Sequence, residues 1–437
     1  MKKSARIIIG VTLCLILVLS WFIAVNSKTT TEKQRILIDK AAKLMSYDIY
    51  IRAVPLLEEA IEYDTKFTII AENELKRAYL ALLNNRGFPR RYVNLLERQM
   101  NRKNAEPEFF MEAANHFLST SKTQEALAVL RDGIERTNDI DLITLYENSR
   151  YVFEMHPAAY ENVTSIFEKT VQVKQNDKWG IASADGTLFI PCEYDKISTF
   201  GNGQAIVRKD GNIYAIDKNN NRLAITSDEI SDFGNYADKR IPLQMEGYWR
   251  RATGEFELGT SIFEGIGMYS GGYAAAKING KWGVIDLSNK WLLPAEYEEI
   301  VQDELGRCYA QGAVFIRSGG LVYLFTNGEI AGEVYEDAHP FTDEGYAAVK
   351  RNEKWGFIDI NGTVVIPFIF DDALSFGQHL AAVKIGDFWG YINIYGHVVI
   401  EARFFDAKSF SDGSAPVLTE RGWQFITLLE YKKGAIL

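Results

Sequence analysis

Five histidines and three cysteines are the whole stock of imidazole and thiol in this chain of 437 residues. Cys14, Cys192 and Cys308 are scattered and match neither a disulfide framework nor a zinc-binding pattern. His339, His379 and His397 share no spacing, so surface or turn positions suit them better than a ligand set. Asp217, Asn219, Asn221 and Asp228 imitate the spacing of a calcium loop, yet Arg222 stands where such a loop needs glycine. Gly265, Gly267 and the glycines at 271–272 read as a turn ahead of a strand and not as a phosphate cradle. No G-x-S-x-G, H-E-x-x-H or P-loop occurs. The sequence therefore assigns no catalytic, cofactor or metal residue, and the chain reads as non-enzymatic.

What must be positioned, then, is a set of surfaces. Hydrophobic residues make up 47% and charged residues 24%, an ordinary balance for a folded protein. The net charge of −10, with no basic stripe, argues against nucleic acid as a partner. Most of that charge lies late in the chain: residues 171–437 hold 25 basic and 36 acidic groups. An acidic region of this kind suits cations or basic peptides, though solvated charge is the commoner cause.

Residues 7–25 form an uncharged run after Lys2, Lys3 and Arg6. At about 1.5 Å per residue it spans about 28 Å, close to the thickness of a bilayer core. The positive-inside rule keeps residues 1–6 cytoplasmic and exports everything beyond the run. The reading is a single-pass signal-anchor in the cell membrane, with the C-terminal domains extracytoplasmic. Cleavage near Val25 and Ser27 would instead release a secreted protein.

Between 32 and 165 the pattern is helical. Leu37, Ala41, Leu44, Ala53, Leu57 and Ala60 alternate large and small residues at offsets that suit two antiparallel helices. The same offsets return at Phe110, Ala114, Phe117, Ala126, Leu130 and Gly133, and Leu75, Tyr79, Leu82, Tyr92 and Leu96 suggest a copy between them. Ile140 to Phe153 reads as a capping helix. These positions resemble the tetratricopeptide repeat. The resemblance implies protein interaction through a groove lined by Ile38, Met45, Leu80, Leu83, Met111 and Leu118, with segment 141–170 as its expected occupant.

From 174 to 437 the period is plain. Trp179-Gly180, Trp282-Gly283, Trp355-Gly356 and Trp389-Gly390 open apolar stretches, and Tyr214, Trp249, Tyr323 and Trp423 hold the same phase. The intervals are 35, 35, 33, 41, 32, 34 and 34 residues. Asn- and Gly-rich turns join β-branched runs, a run often ends in proline, and Tyr194-Asp195, Phe370-Asp371 or Phe405-Asp406 follows. Each unit reads as a meander of three short strands, with seven units and a terminal fragment. The pattern is similar to the bacterial WG-repeat family. Strict phase with the strands makes the tryptophans packing residues between units, not a stacking surface.

The expected fold class is thus α+β multidomain: a transmembrane helix, tetratricopeptide-like hairpins and an all-β repeat domain. A propeller-like ring is preferred to an open β-meander spiral, since the fragment Trp423 to Leu429 would otherwise present a bare edge. It is expected to pair near Trp179 to Val207. The functional expectation is a membrane-anchored interaction protein whose partner is a protein or an envelope component. An envelope hydrolase with its site on β-repeat loops and a structural spacer are the alternatives.

Overall fold

The computed structural model describes residues 28–223 and 229–431. The chain divides into two compact units, Met1–Tyr146 and Glu147–Leu437. The expected cytoplasmic tail and the span at 7–25 lie outside the described residues. Among the described residues no helix is long and apolar enough to cross a membrane.

The first unit is a series of helices: α1 (28–45), α2 (Tyr50–Ala60), α3 (Thr68–Ala81), α4 (Phe88–Met100), α5 (Pro107–Ser119), α6 (Thr123–Thr137) and α7 (Ile140–Ser149). Local chemistry sets their ends. Pro107 sits in the first turn of α5, where its missing N–H leaves no hydrogen bond unmade. Asn138 adopts the left-handed conformation after α6. Asp139 then starts α7, its Oδ1 accepting the amides of Asp141 at 3.0 Å and Leu142 at 3.1 Å. One continuous core joins Ala41, Ala53, Leu57, Leu75, Tyr79, Phe110, Ala114 and Leu130, as the spacing requires. A Cβ on Gly133 would stand 2.8 Å from Phe110, so the helices cross there at closest approach.

The second unit begins earlier than the expected boundary between 165 and 174. Helix α7 ends at Ser149, and Phe153–Met155, Asn162–Val163 and Thr170–Gln175 are already strands. Among the described residues eight antiparallel sheets follow one another along the chain as blades 1 to 8. Their first strands are Asn162–Val163, Lys196–Ile197, Ile230–Phe233, Gly265–Ile266, Glu299–Ile300, Asp337–Ala338, Asp372–Ala373 and Asp406–Ala407. Seven of these eight have two residues and carry too little pattern to be read in sequence, hence the expectation of three strands and not four. Blade 3 alone has three full strands, and isolated bridges at Phe263 and Leu258 replace its fourth.

The ring closes, but through a different partner from the one expected. Phe153, Glu154 and Met155 pair with Leu428, Thr427 and Ile426, completing blade 8 with a strand from the start of the unit. Trp423 bridges Tyr160, not the 179–207 segment. Both chain ends of the ring therefore share one sheet, and the last blade has no bare edge.

Each Trp-Gly pair has a structural job. Trp179, Trp282, Trp355 and Trp389 lie across from Tyr194, Tyr297, Phe370 and Phe404 on the fourth strands. Their rings reach the next blade, as where Trp389 and Phe404 join Ala407, Phe410 and Ala415 in one core. The glycines lie beneath a register shift in the fourth strand. A Cβ on Gly180 would meet Ile190 O at 2.4 Å, and one on Gly390 would meet Ile400 O at 2.5 Å. Any side chain there would expel the bulge.

The carboxylate after the aromatic residue is also explained. Glu161, Asp195, Glu264, Glu298, Glu336 and Asp371 each accept a backbone N–H from the hairpin turn of the blade that follows them in sequence, at 2.7–3.1 Å. Blade 8 departs from this. Phe404 is the true counterpart of Tyr194, so Phe405 holds the carboxylate's place and Asp406 opens the first strand. The pair Phe405-Asp406 read from the sequence is one residue out of phase.

Candidate functional site

The connections between first and second strands face the middle of the ring. In blades 1, 2, 3, 4, 7 and 8 they are six residues long, as at 164–169 and 374–379, and in blade 6 they span 339–345. Blade 5 differs, with twelve residues at 301–312. This loop leaves its own blade and crosses the ring. Glu304 accepts hydrogen bonds from the backbone N–H of Ser165 (2.6 Å) and from its hydroxyl, in blade 1. The other oxygen of Glu304 lies 2.6 Å from Lys408 Nζ in blade 8. Blades 1 and 5 stand opposite each other in a ring of eight, so the axis is filled by the protein's own chain.

Sequence chemistry shapes the tip of that loop. Asp303 Oδ1 accepts the amides of Leu305 (3.0 Å) and Arg307 (2.9 Å), and its Oδ2 pairs with Arg307 Nε at 2.6 Å. Gly306 at φ 94 closes the turn, in a conformation that bulkier residues rarely adopt. Leu305 is buried against Phe167, Ala237 and Met268 of blades 1, 3 and 4. Asn235 Nδ2 donates to Leu305 O at 3.0 Å, and Met268 N donates to Gly306 O at 2.9 Å. Asn235 is itself oriented, because its Oδ1 accepts from Thr199 N at 3.0 Å and Gln172 Nε2 at 3.2 Å. Gly267 leaves room for the loop, since a Cβ there would lie 2.6 Å from Gly306 O.

The loop separates two kinds of surroundings. Toward blades 2, 3 and 4 it bounds a cavity of about 220 Å³ lined by Lys196, Ser198, Asn235, Met268 and Gln302, among others. Toward blades 6 to 8 lie carboxylates. Burial, with the nearby charges of Asp372 and Glu304, raises Asp406 above the ordinary carboxylate range. His339 stacks on Trp355 with centroids 5.0 Å apart, and burial lowers its pKa against the pull of Asp372, Asp337, Asp303 and Glu304.

The residues singled out in sequence have other fates. Asp217 caps its own turn, accepting the amides of Asn219 and Asn221 at 2.8 Å, while Asp228 lies outside the described residues. Cys308 is buried in an apolar core and its thiol is pushed up to about 12, and Cys14 is outside the described residues. His379 pairs with Glu344 at 2.9 Å. His397 belongs to the turn capped by Asn393. Among the described residues no group of three or more His, Cys, Asp or Glu could hold a metal ion.

The groove is not assembled as expected. Ile38 and Met45 are buried in the helical core, and Leu83, Met111 and Leu118 pack partly against it. Leu80 alone of the six is exposed, at 45%. Two of the six are thus core, three are half-buried and one is open to solvent. Leu142, Leu145 and Tyr146 of α7 pack on these helices, whereas 153–170 belongs to the ring, so only the α7 part of 141–170 lies against them. The axial loop escaped the sequence reading, although its signal was present: the 41-residue interval from Trp282 to Tyr323 exceeds the others by the length of the insertion.

Eight short antiparallel sheets closed on themselves define a propeller-like repeat protein. The family described as WG containing repeat matches residues 179–212, 261–282, 282–303, 326–355, 355–387 and 389–423. These matches fall in phase with the blades of the ring and leave 213–260 and 304–325 unmatched. No curated protein matches the sequence significantly. Among solved structures, one titled as a crystal structure of the eukaryotic initiation factor is 10% identical, with a TM-score of 0.39, covering 62% of this chain and 83% of that one. The AfRom2 CNH domain is 9% identical, with a TM-score of 0.31 and coverage of 55% and 96%. The Neurospora crassa Pan2 WD40 domain is 11% identical, with a TM-score of 0.31 and coverage of 64% and 92%. The strand pairing defines the ring independently of these likenesses.

Proposed function

We propose that this chain is a non-catalytic, membrane-anchored interaction protein that recognises a protein or envelope component outside the cytoplasm. The propeller-like fold supports protein binding, and the helical hairpins, tetratricopeptide-like in their spacing, add a second repeat surface. One observation carries the non-catalytic part. At the ring's centre, where a propeller enzyme gathers its substrate loops, Glu304 is already engaged by Ser165 and Lys408. The charges before residue 7 and the apolar run support the topology.

The test is capture from solubilised envelope by the full-length chain, with cross-linking to map the contact. A reproducible partner cross-linked to the ring or the helices supports recognition. Turnover in a broad hydrolase screen would replace it with the enzyme reading, and neither capture nor turnover would leave a spacer. For the topology, protease added to intact cells, or to spheroplasts if there is an outer membrane, should digest residues beyond 28. Full protection would reverse the orientation.

A further inference from the structure

The contacts of the blade 5 loop are those of a bound peptide. A carboxylate is held by an ammonium, a hydroxyl and a backbone N–H, a leucine fills an apolar socket, and two carbonyls are met by oriented donors. All the receiving groups (Ser165, Phe167, Asn235, Ala237, Met268, Lys408) come from blades 1, 3, 4 and 8, outside the blade that supplies the loop. A loop serving only to fill the axis needs apolar bulk. This one instead satisfies charge, side chain and main chain separately.

We propose that this axial socket recognises an acidic, leucine-bearing peptide segment of a partner, and that Asp303 to Arg307 is its internal occupant. The inference rests on the recognition role proposed above and names the chemistry recognised. Two features make the loop displaceable. The Glu304 side chain is 34% exposed, so water and salt compete for its ion pair with Lys408. The twelve-residue connection is twice the usual length, which leaves slack for the tip to withdraw. A partner segment presenting Glu-Leu would replace like with like: its carboxylate on Lys408 and Ser165, its leucine against Phe167 and Met268.

The test uses the full-length chain and a labelled Asp-Glu-Leu-Gly-Arg peptide, with a Lys-for-Glu peptide as control. Two variants free the socket. One replaces 301–312 with a six-residue connection like 374–379, and the other combines Glu304→Ala with Leu305→Ala at unchanged length. If the loop occupies the socket nine parts in ten, each variant should bind the peptide about tenfold more tightly than the parent. The control peptide should not gain. A folded variant that binds no better than the parent overturns the proposal. Should both variants fail to fold, hydrogen exchange on the parent decides: Leu305 and Gly306 amides must exchange faster than those of the blade 5 strands. Exchange as slow as the strands means a permanent strut and ends the idea. Neither failure touches capture of a partner elsewhere on the chain, so the two readings fall separately.

Discussion

The helical unit and the ring solve the same problem, stacking repeats, in opposite ways. In the helices one continuous core runs from Ile38 to Leu142. In the ring the buried residues separate into many small cores, nearly all between neighbouring blades, such as Trp355 with Phe370 and Phe376. A continuous core spreads the cost of one bad contact, while a ring of separate cores depends on every joint and on closure. The helical unit does have one point of concentrated risk. Glu72 is fully buried between Arg98 (3.3 Å) and Arg102.

The sharpest way to break this comparison is therefore Glu72→Ala. It leaves the buried Gln99 amide and two partly exposed guanidinium groups without their shared acceptor, which costs about 3 kcal/mol. Denaturant titration followed by helical circular dichroism should show the helical transition moving while the ring's aromatic signal stays in place. A loss confined to the ring would refute the separation of the two cores.

Next comes Gly390→Ala, which drives a methyl into Ile400 O and should destabilise the ring by about 3 kcal/mol. Tryptophan fluorescence against denaturant reads it directly. An unchanged midpoint would show that the bulge can shift at little cost, and that the glycine is not needed for packing.

The third test is pH. His339 has a folded pKa below 6.5, so above that value both states are neutral there and it contributes nothing. As pH falls through 6.5 the unfolded chain takes up a proton that the folded ring refuses, and stability drops. One proton limits the slope to about 1.4 kcal/mol per pH unit. His339→Gln should lose this share of the ring's acid sensitivity between pH 6.5 and 5. Parallel pH profiles for parent and variant would contradict the burial of the imidazole.

The smallest effect is expected at Phe405, 49% exposed and lying against Phe388 where six blades place a carboxylate. Phe405→Asp restores the acceptor for the turn of blade 8 and should stabilise the ring by about 1 kcal/mol. A lowered melting temperature would mean that the Phe405–Phe388 contact outweighs the missing cap.

Much of this architecture was legible because repetition amplifies weak signals. Trp-Gly recurs in phase since each glycine underlies the same bulge, and that steric demand marks the sequence directly. The helical small-large offsets were readable for the same reason, down to Gly133 beneath Phe110. The closing strand was not legible. Phe153-Glu154-Met155 has no repeat phase of its own, and what makes it a strand is an edge supplied by residues 422–428. The axial loop lay between these cases: its length showed as a long interval, but its destination depended on Ser165 and Lys408, far away in sequence. Ile38 and Met45 misled because an apolar position on a first helix fits a core as well as an open face.

The closing strand also sets a timetable for synthesis. Phe153–Met155 leaves the ribosome first among the strands of the ring and waits for a partner about 270 residues downstream. At about 5–20 residues per second, that interval is on the order of 10–50 seconds. Throughout it the nascent ring has an unpaired first strand and a growing open edge, the state in which β-proteins are most exposed to aggregation. A chain truncated anywhere before residue 422 never leaves that state. Quality control could therefore tell finished from unfinished copies by a single feature, whether three residues near the start of the ring have found the end.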